Sequence, residues 1–162
     1  MEPSERVRMA QPDDEPELME LCRRRHSECG LGMFAPDKVR SVIRRSFDRG
    51  CNDPSVIGVV GLNQVEGSIG FTNDPDWDSD TPILRCLWNY VLPEFRNSTN
   101  LKDLTEWGSR LSRHAPFGLG LPIRMEAITT RRTESQIRLY KRQLGEPVAI
   151  AWVCESYEFG AP

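Results

Sequence analysis

A chain of 162 residues has room for one domain with a full hydrophobic core and is tight for two. Its formal net charge of -3 and pI near 5.5 argue against a general nucleic-acid binder, which needs a basic surface. No apolar run approaches the roughly 20 residues of a membrane helix, and the N-terminal MEPSERVRM lacks a signal-peptide core. The expectation is a soluble, cytoplasmic protein with neither a membrane nor a nucleic-acid partner.

In chain order, Arg6 to Ala10 alternates briefly and predicts a short first strand. Asp13-Asp14-Glu15-Pro16 opens a helix, with acids and an early proline at its positive end. Leu18, Leu21 and Cys22 form its apolar stripe, and Arg23 to Arg25 lie towards its end. Gly30 to Phe34 reads as a loop, and Pro36-Asp37 starts a second helix carrying Val39, Val42, Ile43 and Phe47. Ser55 to Gly61 and Val65 to Thr72 predict two strands joined by Leu62-Asn-Gln64, and Ile83 to Leu92 a third. A helix follows to about His114, with Leu101, Leu104, Trp107 and Leu111 on one face. Pro122 to Thr129 reads as a strand. Thr133-Glu-Ser-Gln136 fits a capping box for a helix bearing Ile137, Leu139, Tyr140 and Leu144, ended by Gly145. Pro147 to Cys154 is a last apolar strand. The order β-α-α-β-β-β-α-β-α-β predicts a single α/β domain with a mixed, mostly antiparallel sheet flanked by helices.

Val91-Leu-Pro-Glu-Phe-Arg-Asn-Ser-Thr-Asn-Leu-Lys-Asp-Leu104 places a proline, one arginine and a run of small polar residues between a strand and a helix. Backbone N–H groups at a helix N-terminus in such a turn can hold an anion, and Arg96 would add a charge-assisted contact. Ser98, Thr99 and Asn100 are equally good residues for capping the helix. The turn has no glycine. Among the cysteines, Cys22, His26 and Cys29 can share a helical face, but no fourth ligand is nominated and no metal is expected.

The element order and two motifs resemble the GNAT superfamily of N-acetyltransferases. Val91-Leu-Pro-Glu-Phe-Arg96 is similar to the family's V-x-P-x-x-R lead-in to its pyrophosphate loop, and Leu139-Tyr-Lys-Arg-Gln-Leu-Gly145 to its Leu-Tyr-x-x-x-Gly-Phe helix. Thr99 and Leu101 stand where glycine and glycine or alanine are usual. The second motif is one residue longer, with Glu146-Pro147 in place of phenylalanine. The Ser/Thr-rich loop resembles that of phage and proteobacterial acetyltransferases. The resemblance implies an acyltransferase using acetyl-CoA as cosubstrate, with a primary amine attacking directly in a ternary complex. It implies coenzyme contacts at Leu92, Arg96, Asn97, Ser98, Thr99, Asn100 and Leu101, with the Ser98 and Thr99 hydroxyls supplementing the backbone. A splay or bulge at Asn89 to Leu92 would align the thioester arm. Tyr140, at its spacing otherwise a core aromatic, would be the general acid for the leaving thiolate. Met33, Phe34 and Asn89 would line the acceptor side, with core packing the competing account for Met33 and Phe34, and a homodimer would be common. Glu66, Asn89 and Glu126 are the candidate bases. Asp74, Asp76, Asp78 and Asp80 either draw in a cationic amine or form a solvated loop. An idle GNAT-fold interaction module is the competing expectation.

Overall fold

A computed structural model describes residues 6–29, 33–48, 55–73, 83–111, 123–125 and 134–146. The elements are β1 (Val7–Met9), α1 (Glu15–Cys29), α2 (Pro36–Arg45), β2 (Ser55–Val60), β3 (Gly67–Asn73), β4 (Leu84–Val91), α3 (Asn100–Leu111), β5 (Ile123–Arg124) and α4 (Glu134–Leu144). They form one five-stranded sheet in the order β1-β2-β3-β4-β5. The first four strands are antiparallel to their neighbours, and β5 runs parallel to β4. The mixed α/β architecture, a mostly antiparallel sheet flanked by helices, matches the sequence expectation. The expected last strand at 147–154, the Asp74–Asp80 loop, Glu126, His114 and the Thr133 cap lie outside the described residues.

The sheet is covered on both faces, so its strands carry apolar side chains on both sides. On one face α1 and α2 bring Leu18, Leu21, Cys22 and Ile43 onto Ile57, Val59, Trp88 and Tyr90. On the other, α3 lays Leu104 and Leu111 over Val60, Ile69, Phe71 and Cys86, with Leu101 and Trp107 at the margin. Alternation along β2 and β3 explains the partition, since successive side chains point to opposite faces. Close approach is bought with glycine at Gly108: a Cβ there would lie 2.7 Å from the Phe71 ring, so any side chain would push α3 off the sheet.

Several boundaries move. β3 begins at Gly67 rather than Val65, because the Val65 N–H donates to the Glu17 carboxylate of α1 instead of to a strand. Leu144, expected on the apolar stripe of α4, is exposed, whereas Tyr140 is buried. His26 is half-buried and tilts against the Phe34 ring at 5.4 Å between centroids. Cys22 is a core residue, and burial pushes its thiol up to about 12. No group of metal-ligating side chains occurs among the described residues. Nor, among them, is any helix long and apolar enough to cross a membrane.

Candidate active site

The site begins with an irregularity in β4. Gly70 of β3 is opposite Trp88 and Phe71 is opposite Cys86, so Leu87 is an extra residue in the ladder. Leu87 and Trp88 consequently both pack towards α1 and α2. A bulge of this kind reverses the alternation beyond it. Asn89 is thereby turned to the α3 and α4 side of the sheet, while Tyr90 faces α1 and α2. The bulge lies at Leu87, earlier than the Asn89–Leu92 segment the sequence pointed to. Pairing continues past it, because the Leu92 N–H donates to the Glu66 carbonyl at 3.0 Å.

On its new face Asn89 meets α4. Its Nδ2 donates to the Tyr140 hydroxyl at 3.1 Å and to Thr105 Oγ1 of α3 at 2.9 Å. Gln136, one turn before Tyr140, donates from Nε2 to the same hydroxyl at 2.7 Å and to the Asn89 carbonyl at 3.2 Å. Among the described residues β5 pairs with β4 only at Leu84 and Arg85, so it is a side chain of α4 that meets the strand at Asn89. Tyr140 is 8% exposed, and Asn89 Oδ1 is buried with no hydrogen-bond partner among the described residues. Burial holds the Tyr140 hydroxyl well above the ordinary phenol range, and the Asn89 and Gln136 donors only partly offset it.

The β4–α3 turn is tied down from three directions. Pro93–Phe95 makes one 3-10 turn. The Ser98 hydroxyl donates to the Phe95 carbonyl at 2.6 Å and accepts the Asn100 N–H at 3.2 Å. Thr99 Oγ1 donates to Asp103 at 2.8 Å. Arg6, from the start of the chain, bridges Thr99, Asp103 and Asn100 at 2.8, 3.0 and 3.2 Å. The buried Asn100 donates in turn to the Glu66 carboxylate at 2.8 Å. The N–H groups of Leu101 and Lys102 find no acceptor among the described residues, as expected in the first turn of a helix.

Two ion pairs join this turn to α1. Arg24 and Glu94 form a bidentate pair at 2.8 Å, and Arg96 reaches Glu28 at 2.5 Å. Arg96 also donates from Nε to the Val91 carbonyl and lies over the Tyr90 ring at 5.3 Å. Burial, reinforced by the Glu28 carboxylate, pushes the Tyr90 hydroxyl up to about 12.

No family model matches this sequence, and no curated protein sequence matches it. Solved structures do. An acetyltransferase of Trypanosoma brucei is 14% identical, superimposes with a TM-score of 0.61, and is matched over 93% of this chain and 98% of its own. An aminoglycoside acetyltransferase from an uncultured soil sample, solved with sisomicin, is 12% identical at a TM-score of 0.60, over 96% and 95%. A ribosomal-protein-alanine N-acetyltransferase of Brucella melitensis is 13% identical at 0.62, over 91% and 96%. The chain has the GNAT fold. At these identities the likeness speaks for the fold alone.

Within the GNAT fold, the residues singled out from sequence fall into three places. Tyr140 and Asn89 are in contact. Arg96 to Leu101 form the continuous turn at the head of α3, with Asn97 to Thr99 exposed, Asn100 buried and Leu101 half-buried. Leu92 packs at the edge of the α1/α2 core, as does Phe34, while the neighbouring Met33 is 95% exposed, so core packing is not its role. The Ser98 and Thr99 hydroxyl protons both point to protein acceptors, and the Arg96, Ser98 and Asn100 N–H groups are also used inside the protein, which leaves those of Leu101 and Lys102 without an acceptor among the described residues. Glu66 is engaged by Asn100. Gln136, Thr105, Asp103 and Arg6 were not anticipated as parts of the site. Gln136 was legible as a residue one turn from Tyr140 on the same helix face, whereas Arg6, 93 residues from Thr99, carries no local signal.

Proposed function

We propose that the chain is an acyl-CoA-dependent N-acyltransferase that moves acetyl from acetyl-CoA to a primary amine by direct attack in a ternary complex. The observation that carries this reading is Tyr140: a buried hydroxyl on α4 that accepts from two amides and keeps its own proton without a protein acceptor among the described residues. Beside it lies a buried acceptor, Asn89 Oδ1, with no partner among the described residues. Buried polar groups are seldom left unpaired, and such a pair suits a site completed by a ligand.

Acetyl-CoA would supply an acetyl group activated as a thioester. In the turn from Arg96 to Leu101, at the positive end of α3, the first-turn N–H groups of Leu101 and Lys102 have no acceptor among the described residues and suit the coenzyme's pyrophosphate. Arg96 adds charge at the same turn, and Leu92 and Asn89 mark the end of β4 along which the thioester arm would lie. Tyr140 holds a proton at Oη at neutral pH, as an ordinary phenol does, and burial strengthens that hold; it is the chain's candidate donor for a departing thiolate. Met33 and Phe34, on the α1–α2 connection, would face the acceptor. Two neighbours of this fold are named for amine-bearing acceptors, an aminoglycoside and a ribosomal-protein alanine, and this supports an amine here.

A second reading, an idle GNAT-fold binding module, has one observation in its favour: the Ser98 and Thr99 hydroxyls are used inside the protein. Thiol release from acetyl-CoA separates the two. With sisomicin, spermidine, an alanine-ended peptide and a lysine peptide as acceptors, the first reading expects saturable release with at least one. Release at the enzyme-free rate with all four, from protein that still binds the coenzyme, would favour the idle module.

A further inference from the structure

The orientations of both amides around Tyr140 are fixed by groups that can only accept. Gln136 Nε2 faces the Asn89 backbone carbonyl as well as the phenol, so the atom there must be the N–H₂. Thr105 Oγ1 gives its proton to the Leu101 carbonyl at 2.8 Å, so it can only accept from Asn89, which fixes Nδ2 on that side. Both donors then converge on one phenolic oxygen, at 2.7 and 3.1 Å.

We propose that Gln136, together with Asn89, is a positioning residue that clamps Tyr140 Oη through both lone pairs and so aims its proton away from α4 and β4. Building on the reading of Tyr140 as the acid, the same two N–H groups stabilise the charge that forms there. The proton leaves Oη for the sulfur of the departing thiolate, the O–H electron pair stays on oxygen, and the resulting phenolate is met by two donors already in place. Nothing has to reorient during the transfer. The other titratable or charged groups acting on Tyr140 are Cys86 of β4 and Arg25 of α1; Cys86 opposes the charge and Arg25 favours it.

The clamp is testable in the free protein, without an acceptor. A fluorinated tyrosine placed at position 140 has a lower phenol pKa, and its titration can be followed by fluorine NMR. Gln136→Met removes one donor to a charged oxygen and should raise the midpoint by about one to two pH units. Gln136→Glu keeps the shape, so it carries the test if the methionine variant fails to fold. It should raise the midpoint further, since it sets a carboxylate against the phenolate. An unmoved midpoint in either folded variant overturns the clamp.

Turnover with an active amine then separates the clamp from the reading beneath it. Gln136→Met should lower kcat about tenfold with KM for acetyl-CoA unchanged, and should lower it no further in a Tyr140→Phe background. Equal losses in both backgrounds overturn the positioning role. A moved midpoint with full rate in Tyr140→Phe would leave the clamp standing and remove the acid.

Discussion

Tyr140→Phe is expected to lower kcat for acetyl transfer by about 10²- to 10⁴-fold, the usual contribution of a positioned general acid, while leaving KM for acetyl-CoA nearly unchanged. The substitution keeps the buried ring and removes only the hydroxyl. It also leaves the Asn89 and Gln136 amides without their shared acceptor, which costs about 1–3 kcal/mol of stability. Rates are therefore compared well below the melting temperature. A Tyr140→Phe enzyme with the parent rate would remove the acid from the account.

The same hydroxyl has a pH signature. Its folded-state pKa is raised above the ordinary value of 10.0 by burial. Its contribution to stability is thus fully present below about pH 10 and is lost as pH rises through the folded value, because the unfolded chain gives up the proton first. Alkaline melting of the parent protein should be steeper with pH than that of Tyr140→Phe.

Phe71→Ala should lower stability by about 3–5 kcal/mol, the usual range for emptying an aromatic site in a core. Phe71 is completely buried and lies directly under Gly108, so the side chain removed is the one on which α3 rests. Total stability for a domain is about 5–15 kcal/mol, and the expected fall in melting temperature is roughly 10 °C. Coenzyme affinity should fall with it, since α3 carries the turn proposed to hold the pyrophosphate. A loss under about 1 kcal/mol would mean that helix and sheet are not closely packed there.

The fold was legible because its signals are local. Proline at the start of α2, acids at the start of α1 and the three- and four-residue spacing of Leu101, Leu104, Trp107 and Leu111 each determine an element without reference to distant chain. Gly145 likewise ends α4 with φ 94, a conformation glycine adopts freely. The interior of the site was less legible, for two physical reasons. The bulge at Leu87 decides which face Asn89 occupies, and nothing in the sequence LRCLWNYV distinguishes a bulged strand from a regular one. The partners of the β4–α3 turn come from remote positions: Arg6, Glu66 and Glu28 reach it across 93, 34 and 68 residues respectively. The absence of glycine from that turn also changes meaning. Ser98 and Thr99 close the turn with their own hydroxyls, and Asn100 and Asp103 lock it to the N-terminal segment through Arg6.

Whether that closed turn still holds a pyrophosphate is the central claim, and thermal melting with acetyl-CoA tests it most directly. A ligand that binds only the folded state adds about 2.7 kcal/mol at a hundredfold over its Kd, which for a chain of this size raises the melting temperature by roughly 5–10 °C. The account predicts that rise, saturating with coenzyme concentration. An unchanged melting curve at millimolar acetyl-CoA would contradict it.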